Sequence, residues 1–219
     1  MASSQTHRQA VVTTGSSAVS VQTVPLPSPG PDELIDRTAA VGLNPTDWKS
    51  LRGLPAVRAI IGVDFSGIVE RTGMDVTNFH EGDRVAGFVH ESVASNHEYG
   101  AFADRVLAFE HLTTKLPEAM SFERGAILGV GVTTVGQALG EQLRLPLPSL
   151  TRGSDGKHED IVLVYGGQSA TGSLAIQFGV MSGARVITTC SPHGFAKVHA
   201  LGAEKAFDYV GSQWKEYEM

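Results

Sequence analysis

The chain has 219 residues, of which 42% are hydrophobic and 18% are charged, and its formal net charge is −6. This composition is that of a globular protein and excludes an intrinsically disordered chain. The negative charge, with no run of basic residues longer than two, argues against a nucleic-acid binder.

The N-terminal stretch MASSQTHRQAVV lacks the apolar core of a secretory signal, and no apolar stretch is long enough to span a bilayer. Cys190 is the single cysteine, which excludes an internal disulfide and a zinc site built from several cysteines. We therefore expect a soluble, cytoplasmic protein with no membrane and no nucleic-acid partner.

The first part of the chain is predicted to be rich in β-structure. Short segments combine strand length with β-branched or aromatic residues, and turns separate them, such as the turn at Gly15-Ser16-Ser17 and the proline-rich loop Pro25–Glu33. The predicted strands are Ala10–Thr14, Val19–Val24, Leu34–Val41, Gly62–Glu70, Asp83–Val89 and Phe102–Phe109. Short strands with such turns indicate a partly open β-barrel.

Helical segments follow the last of these strands. Ser121 is a candidate N-cap before a short helix, and Val130–Gln142 is a second helical segment with small residues that allow close packing. The polar stretch Leu143–Glu159 contains proline and glycine and is predicted to separate two domains, at residues 1–150 and 151–219.

The remaining sequence predicts alternating strands and helices. Ile161–Tyr165 is a continuous apolar run, which is typical of a parallel strand covered on both faces. The segments after it are a helix at Thr171–Ser182, a strand at Arg185–Cys190, a helix from Ser191-Pro192 to Gly202 and a strand at Lys205–Tyr209. The order β-α-β-α-β is that of half a Rossmann fold, so the predicted fold class is α/β.

The turn after Ile161–Tyr165 departs from a strict Gly-x-Gly-x-x-Gly. It has the sequence GGQSATGS, with small residues at Gly167, Ala170 and Ser173, three positions apart. This spacing lets the backbone approach a pyrophosphate, which the amides at a helix N-terminus would face. Close packing of the helix on the strand would also explain the small residues.

The end of the second predicted strand indicates which nucleotide would bind. A site for NAD usually places an acidic residue there, on the ribose hydroxyls. Here Ser191 and His193 can donate hydrogen bonds to a 2′-phosphate and Lys197 follows one turn later, so NADPH is favoured over NADH. Alternatively, Ser191 is only a helix cap and His193 only a surface residue.

Five segments together resemble the medium-chain dehydrogenase/reductase superfamily and, within it, the zinc-free trans-acting enoyl reductases of fungal polyketide pathways. They are VGLNPTDWK (Val41–Lys49), GVDFSGIVE (Gly62–Glu70), EGDRVAGFVH (Glu81–His90), GVTTVGQAL (Gly131–Leu139) and YGGQSATGSLAIQ (Tyr165–Gln177). The resemblance implies a GroES-like catalytic domain followed by a Rossmann domain. It also implies NADPH-dependent reduction of a carbon–carbon double bond in a carrier-bound polyketide thioester, on a polyketide synthase.

The resemblance also implies site residues. Thr46, Asp47, Trp48 and Lys49 would lie by the cofactor, and Thr134 would line the substrate side. The pyrophosphate would be held by Ser169, Ala170, Thr171 and Gly172, and the adenosine end by Ser191, Pro192, His193, Gly194 and Tyr209.

An enoyl reductase needs a group that polarises the thioester carbonyl and a proton donor. Lys49 could serve either purpose and Thr134 could orient the substrate, so we predict both as catalytic residues. Alternatively, Lys49 belongs to a packed surface loop and Thr134 only caps or packs a helix. Zinc is not expected, because Cys190 lies in the other domain and the NPTDWK loop has no thiol.

The superfamily continues beyond the position of Met219, with a second Rossmann half and a return into the catalytic domain. From the sequence as given we expect an open flank on the barrel and a nicotinamide site without one wall, which would impair hydride transfer. We also expect an unpaired edge at Ile161–Tyr165, and predict that it pairs with its copy across a two-fold axis to form a homodimer.

These features allow three functions. The first is an NADPH-dependent enoyl reductase, or a derivative of one, acting with a polyketide synthase. The second is a redox-neutral cyclase, of Diels–Alder or aldol type, that binds an unsaturated polyketide in the cleft between its domains. The third is a non-catalytic partner that docks on a synthase through the exposed strand edge.

Overall fold

The computed structural model of the chain describes residues 6–15, 18–53, 58–90, 97–148 and 160–210. Ser16 and Ser17 of the first predicted turn, the tail after Val210 and most of the predicted boundary loop lie outside these residues. The described chain forms two compact units, which divide between Val130 and Gly131. The predicted division at residue 150 falls outside the described ranges and stays a prediction.

The first unit begins with an antiparallel β-hairpin of β1 (His7–Gly15) and β2 (Ala18–Pro25). Isolated bridges from Ala10 to Ala103 and from Val12 to Ile60 join the hairpin to the rest of the unit. These four residues form a small buried apolar cluster. The sequence analysis predicted a strand at each of these two positions, and the structure confirms both strands.

An antiparallel sheet of five strands forms the main layer of the first unit. In the spatial order β6-β3-β4-β5-β7, its strands are β3 (Glu33–Gly42), β4 (Asp64–Thr72), β5 (Arg84–Phe88), β6 (Arg105–Phe109) and β7 (Thr113–Lys115). Its core contains Leu34, Phe65, Val69, Val85 and Val106, each exposed by 2% or less. Burial of such side chains is the main term that stabilises the sheet.

Two helices accompany these strands, α1 (Pro45–Arg52) and α2 (Phe122–Ala126). A third helix, α3 (Gly129–Val135), starts at the end of the first unit; most of it, and the π-helical turn at Gly136–Gln142 that continues it, belong to the second unit. The Ser121 hydroxyl accepts a hydrogen bond from the Arg124 N–H, as predicted for an N-cap. The sequence analysis did not predict α1. Its signal was Asn44 followed by proline at the first helical position, a common start of a helix.

The second unit contains a parallel sheet of three strands in the order β10-β9-β8. Along the chain its elements are β8 (Ile161–Tyr165), α4 (Ala170–Met181), β9 (Arg185–Cys190), α5 (Phe195–Ala200) and β10 (Lys205–Asp208). The predicted β-α-β-α-β order is confirmed, and the bounds of the first two strands are those predicted. Within the described ranges, β8 lies at an edge of this sheet.

One face of strand β8 is packed and its other face is exposed. Val162, Val164 and Val186 form a buried cluster with Ile176 of α4 and Val198 of α5. On the opposite face, Ile161, Leu163 and Tyr165 are 56%, 60% and 78% exposed. The prediction that this strand is covered on both faces is therefore wrong, because none of the described elements buries the second face.

Within the described parts of the chain, no helix is both long enough and apolar enough to cross a lipid bilayer.

Candidate functional site

The predicted motif Asn44–Lys49 forms the start of α1. The Asn44 N–H donates a hydrogen bond of 2.7 Å to Asp47 Oδ2, and the Asp47 N–H donates one of 3.1 Å to the Asn44 carbonyl. This reciprocal pair satisfies amides that a helix start leaves without partners. Asp47 is 6% exposed, and this burial raises the pKa of its carboxyl group. The hydrogen bond from the Asn44 N–H acts in the opposite direction and lowers that pKa.

Asp64, the first residue of β4, is hydrogen-bonded to this helix start. Its Oδ2 accepts a hydrogen bond of 2.8 Å from Asn44 Nδ2, and its Oδ1 accepts one of 2.8 Å from the Val130 N–H. The side chain is buried, which raises the pKa of the carboxyl group against the effect of these two donors. One buried carboxylate thus bonds to the starts of both α1 and α3.

The other predicted residues of this motif are at the surface. Trp48 is 48% exposed, with Lys49 Nζ 5.7 Å and Arg52 Cζ 4.8 Å from its ring centroid. Thr46 and Lys49 are exposed on α1, and Thr134 is exposed on α3. Lys49 is therefore accessible for the predicted role, whereas the Asp47 carboxylate faces its own backbone.

The turn after β8 is built by glycine. Gly166 has a φ of +76°, a conformation that costs a residue with a side chain more than it costs glycine. A Cβ atom at Gly167 would lie 2.1 Å from Thr188 Oγ1 of β9, so the backbone there passes against the neighbouring strand. This close approach is between the turn and β9, which the sequence analysis did not predict.

Ser169 caps α4, and its Oγ accepts a hydrogen bond of 3.0 Å from the Gly172 N–H. The amides of Ala170 and Thr171 belong to the first helical turn, which has no intrahelical acceptor for them. Both residues are exposed. This helix start offers an anion the amides that a pyrophosphate needs.

Polar side chains gather where the three parallel strands end, a region that we call the carboxyl edge. The hydroxyls of Ser191 and Tyr209 lie 2.8 Å apart, and the rings of Tyr165 and Tyr209 are 6.2 Å apart. Lys197 Nζ donates a hydrogen bond of 3.3 Å to the Gln168 carbonyl, which places the ammonium beside the glycine turn. These are the donors that a phosphate ester would use.

Some of the residues predicted for the adenosine end are therefore in contact at the carboxyl edge, and others are not. Ser191 and Tyr209 are brought together, Lys197 joins the turn, and His193 is exposed on the turn between them. β9 ends at Cys190, so the last residue of this strand is not acidic. Burial raises the pKa of the Cys190 thiol. Asp208 ends β10 instead and accepts a hydrogen bond from the Val210 N–H.

The sequence analysis missed two residues of these sites. Gln168 lies against the next turn, since a Cβ atom at Gly194 would be 2.5 Å from Gln168 Oε1. The second is Asp64, whose available signal was an acid inside the apolar strand GVDFSGIVE. Among the described residues, no three His, Cys, Asp or Glu side chains are grouped so that they could share a metal ion.

Several known proteins are similar to this chain in sequence or in fold. Residues 30–118 match the alcohol dehydrogenase GroES-like domain. The trans-enoyl reductase TOXD of Cochliobolus carbonum is 44% identical over 81% of this chain, and the trans-enoyl reductase resD of Aspergillus sclerotiorum is 41% identical over 94% of it. This chain spans 59% and 60% of the lengths of these two relatives. Among solved structures, the quinone oxidoreductase of Coxiella burnetii is 27% identical, with a TM-score of 0.76 over 97% of this chain and 66% of that one.

A GroES-like domain followed by half a Rossmann fold is the fold class that the chain shares with the medium-chain dehydrogenase/reductase superfamily, which it resembles. Within this superfamily, it is similar to the trans-enoyl reductases.

Proposed function

We propose that this chain provides the catalytic domain and the first nucleotide-binding half of an NADPH-dependent enoyl reductase. Its substrate would be an unsaturated polyketide thioester, carried on a polyketide synthase. The observation that carries the proposal is the donor set of the carboxyl edge, where hydroxyls and an ammonium lie beside a glycine turn and β9 ends without an acid. The similarity to proteins named trans-enoyl reductases supports the reaction class.

The residues present fit a phosphorylated nucleotide. Ser169, Ala170, Thr171 and Gly172 would hold the pyrophosphate at the capped start of α4. The 2′-phosphate and adenosine would be held at the carboxyl edge, where the ligands would be Ser191, Pro192, His193, Gly194, Lys197 and Tyr209. An acidic residue at the end of β9 would repel the 2′-phosphate, and this chain has Cys190 there.

The α1 segment would serve the reacting end. When bound, NADPH would supply the hydride that reduces the double bond. Lys49, exposed on α1, would hydrogen-bond the thioester carbonyl or provide a proton, and Thr134 would orient the substrate. Thr46, Asp47 and Trp48 would shape this end, with Asp47 acting through the backbone of α1.

A second proposal concerns assembly. The edge strand β8 exposes Ile161, Leu163 and Tyr165, and none of the three is charged. Edge strands with an exposed apolar face are prone to pair with another strand. We propose that β8 pairs with its copy in a homodimer, and the same edge would suit docking on a synthase.

The test of the proposed function is a titration of the purified chain with NADPH and, in parallel, with NADH, followed by nicotinamide fluorescence. We expect tighter binding of NADPH. Replacing Lys197→Ala removes a charge-assisted bond and should weaken NADPH binding roughly tenfold while leaving NADH binding unchanged. Lys205→Ala is the matched control, because Lys205 begins β10 at the opposite end of the sheet.

Equal affinity for the two nucleotides, or equal effects of the two lysine substitutions, would contradict the proposed NADPH site. Reduction of a short enoyl N-acetylcysteamine thioester, followed by NADPH absorbance, then tests the activity, with Lys49→Ala as the inactive variant. Conversion of a polyene substrate without NADPH would instead support the redox-neutral cyclase.

A further inference from the structure

Asp64 is a buried carboxylate with both oxygens committed to other elements. It is 1% exposed at the start of β4. Its two partners come from distant parts of the chain, Asn44 before α1 and Val130 in the first turn of α3. A buried carboxylate that accepts such bonds fixes its partners, because losing one leaves a buried polar group without a partner.

The backbone around Asp64 is shaped to admit these bonds. A Cβ atom at Gly129 would lie 2.6 Å from Asp64 Oδ1 and 2.7 Å from the Gly87 carbonyl, so a side chain there would push α3 away from the carboxylate. On the other side, Asn44 is held by the reciprocal bonds with Asp47. The contacts therefore run from α3 through Asp64 and Asn44 to Asp47 of α1.

This chain of contacts joins the two helices that carry the proposed catalytic residues. Lys49 lies on α1, five positions after Asn44, and Thr134 lies on α3, four positions after Val130. Displacing a reacting group by about 1 Å can lower the rate of an enzyme by roughly 100-fold. A shared anchor for both helix starts would prevent such displacement.

We infer that Asp64 is a positioning residue, which sets the starts of α1 and α3 through Asn44 and Val130. Its effect on catalysis rests on the proposed function, whereas its effect on the two helices does not. Asp64 touches neither substrate nor cofactor in this role.

Hydrogen exchange followed by mass spectrometry tests the anchor without any substrate. Asp64→Ala should speed amide exchange both in residues 44–52 and in residues 129–135, since one carboxylate holds both. Asn44→Ala should speed exchange in residues 44–52 and leave residues 129–135 as in the wild type. Asp64→Asn keeps the shape but replaces one of the two acceptor oxygens with an NH2 donor, so at least one of the two hydrogen bonds is lost. If Asp64→Ala does not fold, Asp64→Asn should speed exchange in at least one of the two helix starts.

The matched control is Ser66→Ala. Ser66 lies two residues further along β4, is also buried, and its hydroxyl donates a hydrogen bond of 2.7 Å to the Phe122 carbonyl of α2. This variant should leave exchange in both helix starts unchanged. Faster exchange in only one helix start for Asp64→Ala, unchanged exchange in both for Asp64→Asn, or faster exchange in both for Ser66→Ala would overturn the inference.

Activity provides the second measurement. In the thioester assay, Asp64→Asn should lower kcat by roughly 10- to 100-fold with little change in the KM for NADPH, and Ser66→Ala should stay near the wild-type value. If the wild type shows no reductase activity but exchange follows the expected pattern, the proposed function fails and the anchor stands. Normal kcat in a variant with faster exchange would refute the catalytic part of the inference.

Discussion

Asp36 is a buried acid with no charged partner in the described structure. It is 0% exposed in β3, its strand neighbours are Val69 and Val106, and neither carboxylate oxygen has a hydrogen-bond partner among the described residues. Burial raises the pKa of this carboxyl group from 3.8 to about 8. The native protein therefore holds Asp36 protonated at neutral pH.

The sign of the resulting pH dependence follows from proton uptake. Between pH 4 and pH 8 the folded state binds a proton at Asp36 that the unfolded state has lost, so stability falls as the pH rises, by up to roughly 1.4 kcal/mol per pH unit. Asp36→Asn cannot ionise and should flatten this slope. Urea unfolding of the wild type and of Asp36→Asn at several pH values gives the free energy of unfolding of each. The difference between the two proteins removes the contribution of the other carboxyl groups, which both proteins share. Parallel curves for the two proteins would contradict the prediction.

At the scale of elements, the glycine turn depends on the strand beside it. Thr188 Oγ1 of β9 donates a hydrogen bond of 2.7 Å to the Val164 carbonyl of β8, and a Cβ atom at Gly167 would lie 2.1 Å from this oxygen. Gly167→Ala should therefore destabilise the second unit by roughly 1–3 kcal/mol, the usual cost of overpacking. Thr188→Ala alone should also destabilise it, because the hydrogen bond is lost.

The two substitutions should be coupled. In the double variant the new methyl group occupies the space of the removed hydroxyl, so the loss of stability should be smaller than the sum of the single losses. Thermal unfolding of the four proteins gives the coupling free energy. Additive losses would show that the contact at Thr188 does not set the position of the turn.

At the scale of the whole molecule, the proposed homodimer depends on the edge strand. A two-fold axis at Leu163 would place Leu163 opposite its copy and Ile161 opposite Tyr165, extending the exposed apolar face across both subunits. Leu163→Lys should abolish the dimer, because it adds a charge to this face. Sedimentation velocity should then give 23.2 kDa for the variant and twice that mass for the wild type.

Met74→Lys is the control for this experiment, since Met74 is 88% exposed in the first unit, far along the chain from β8. It should sediment as the wild type does. A wild-type chain that sediments as a monomer at all concentrations would refute the dimer.

The sequence alone determined the order of most elements in both units, but not α1 and β7 of the first. Apolar runs and turn residues predicted the two N-terminal strands, the main strands of the five-stranded sheet and the β-α-β-α-β order, because these signals are local and each lies within one element. The glycine turn and Ser191, His193 and Lys197 were predicted in the same way, whereas Tyr209 was predicted from the family resemblance. Helix α1 was missed because its only signal was the cap at Asn44-Pro45.

Only the tertiary structure decided which residues meet. Asp64 joins Asn44 and Val130 across 20 and 66 positions of the chain, and Ser191 meets Tyr209 across 18. Likewise, the open face of β8 could not be predicted from an apolar run, because the run has the same composition whether one face is covered or both. Side-chain type follows from the sequence, whereas burial and partnership depend on long-range packing, which local patterns do not encode.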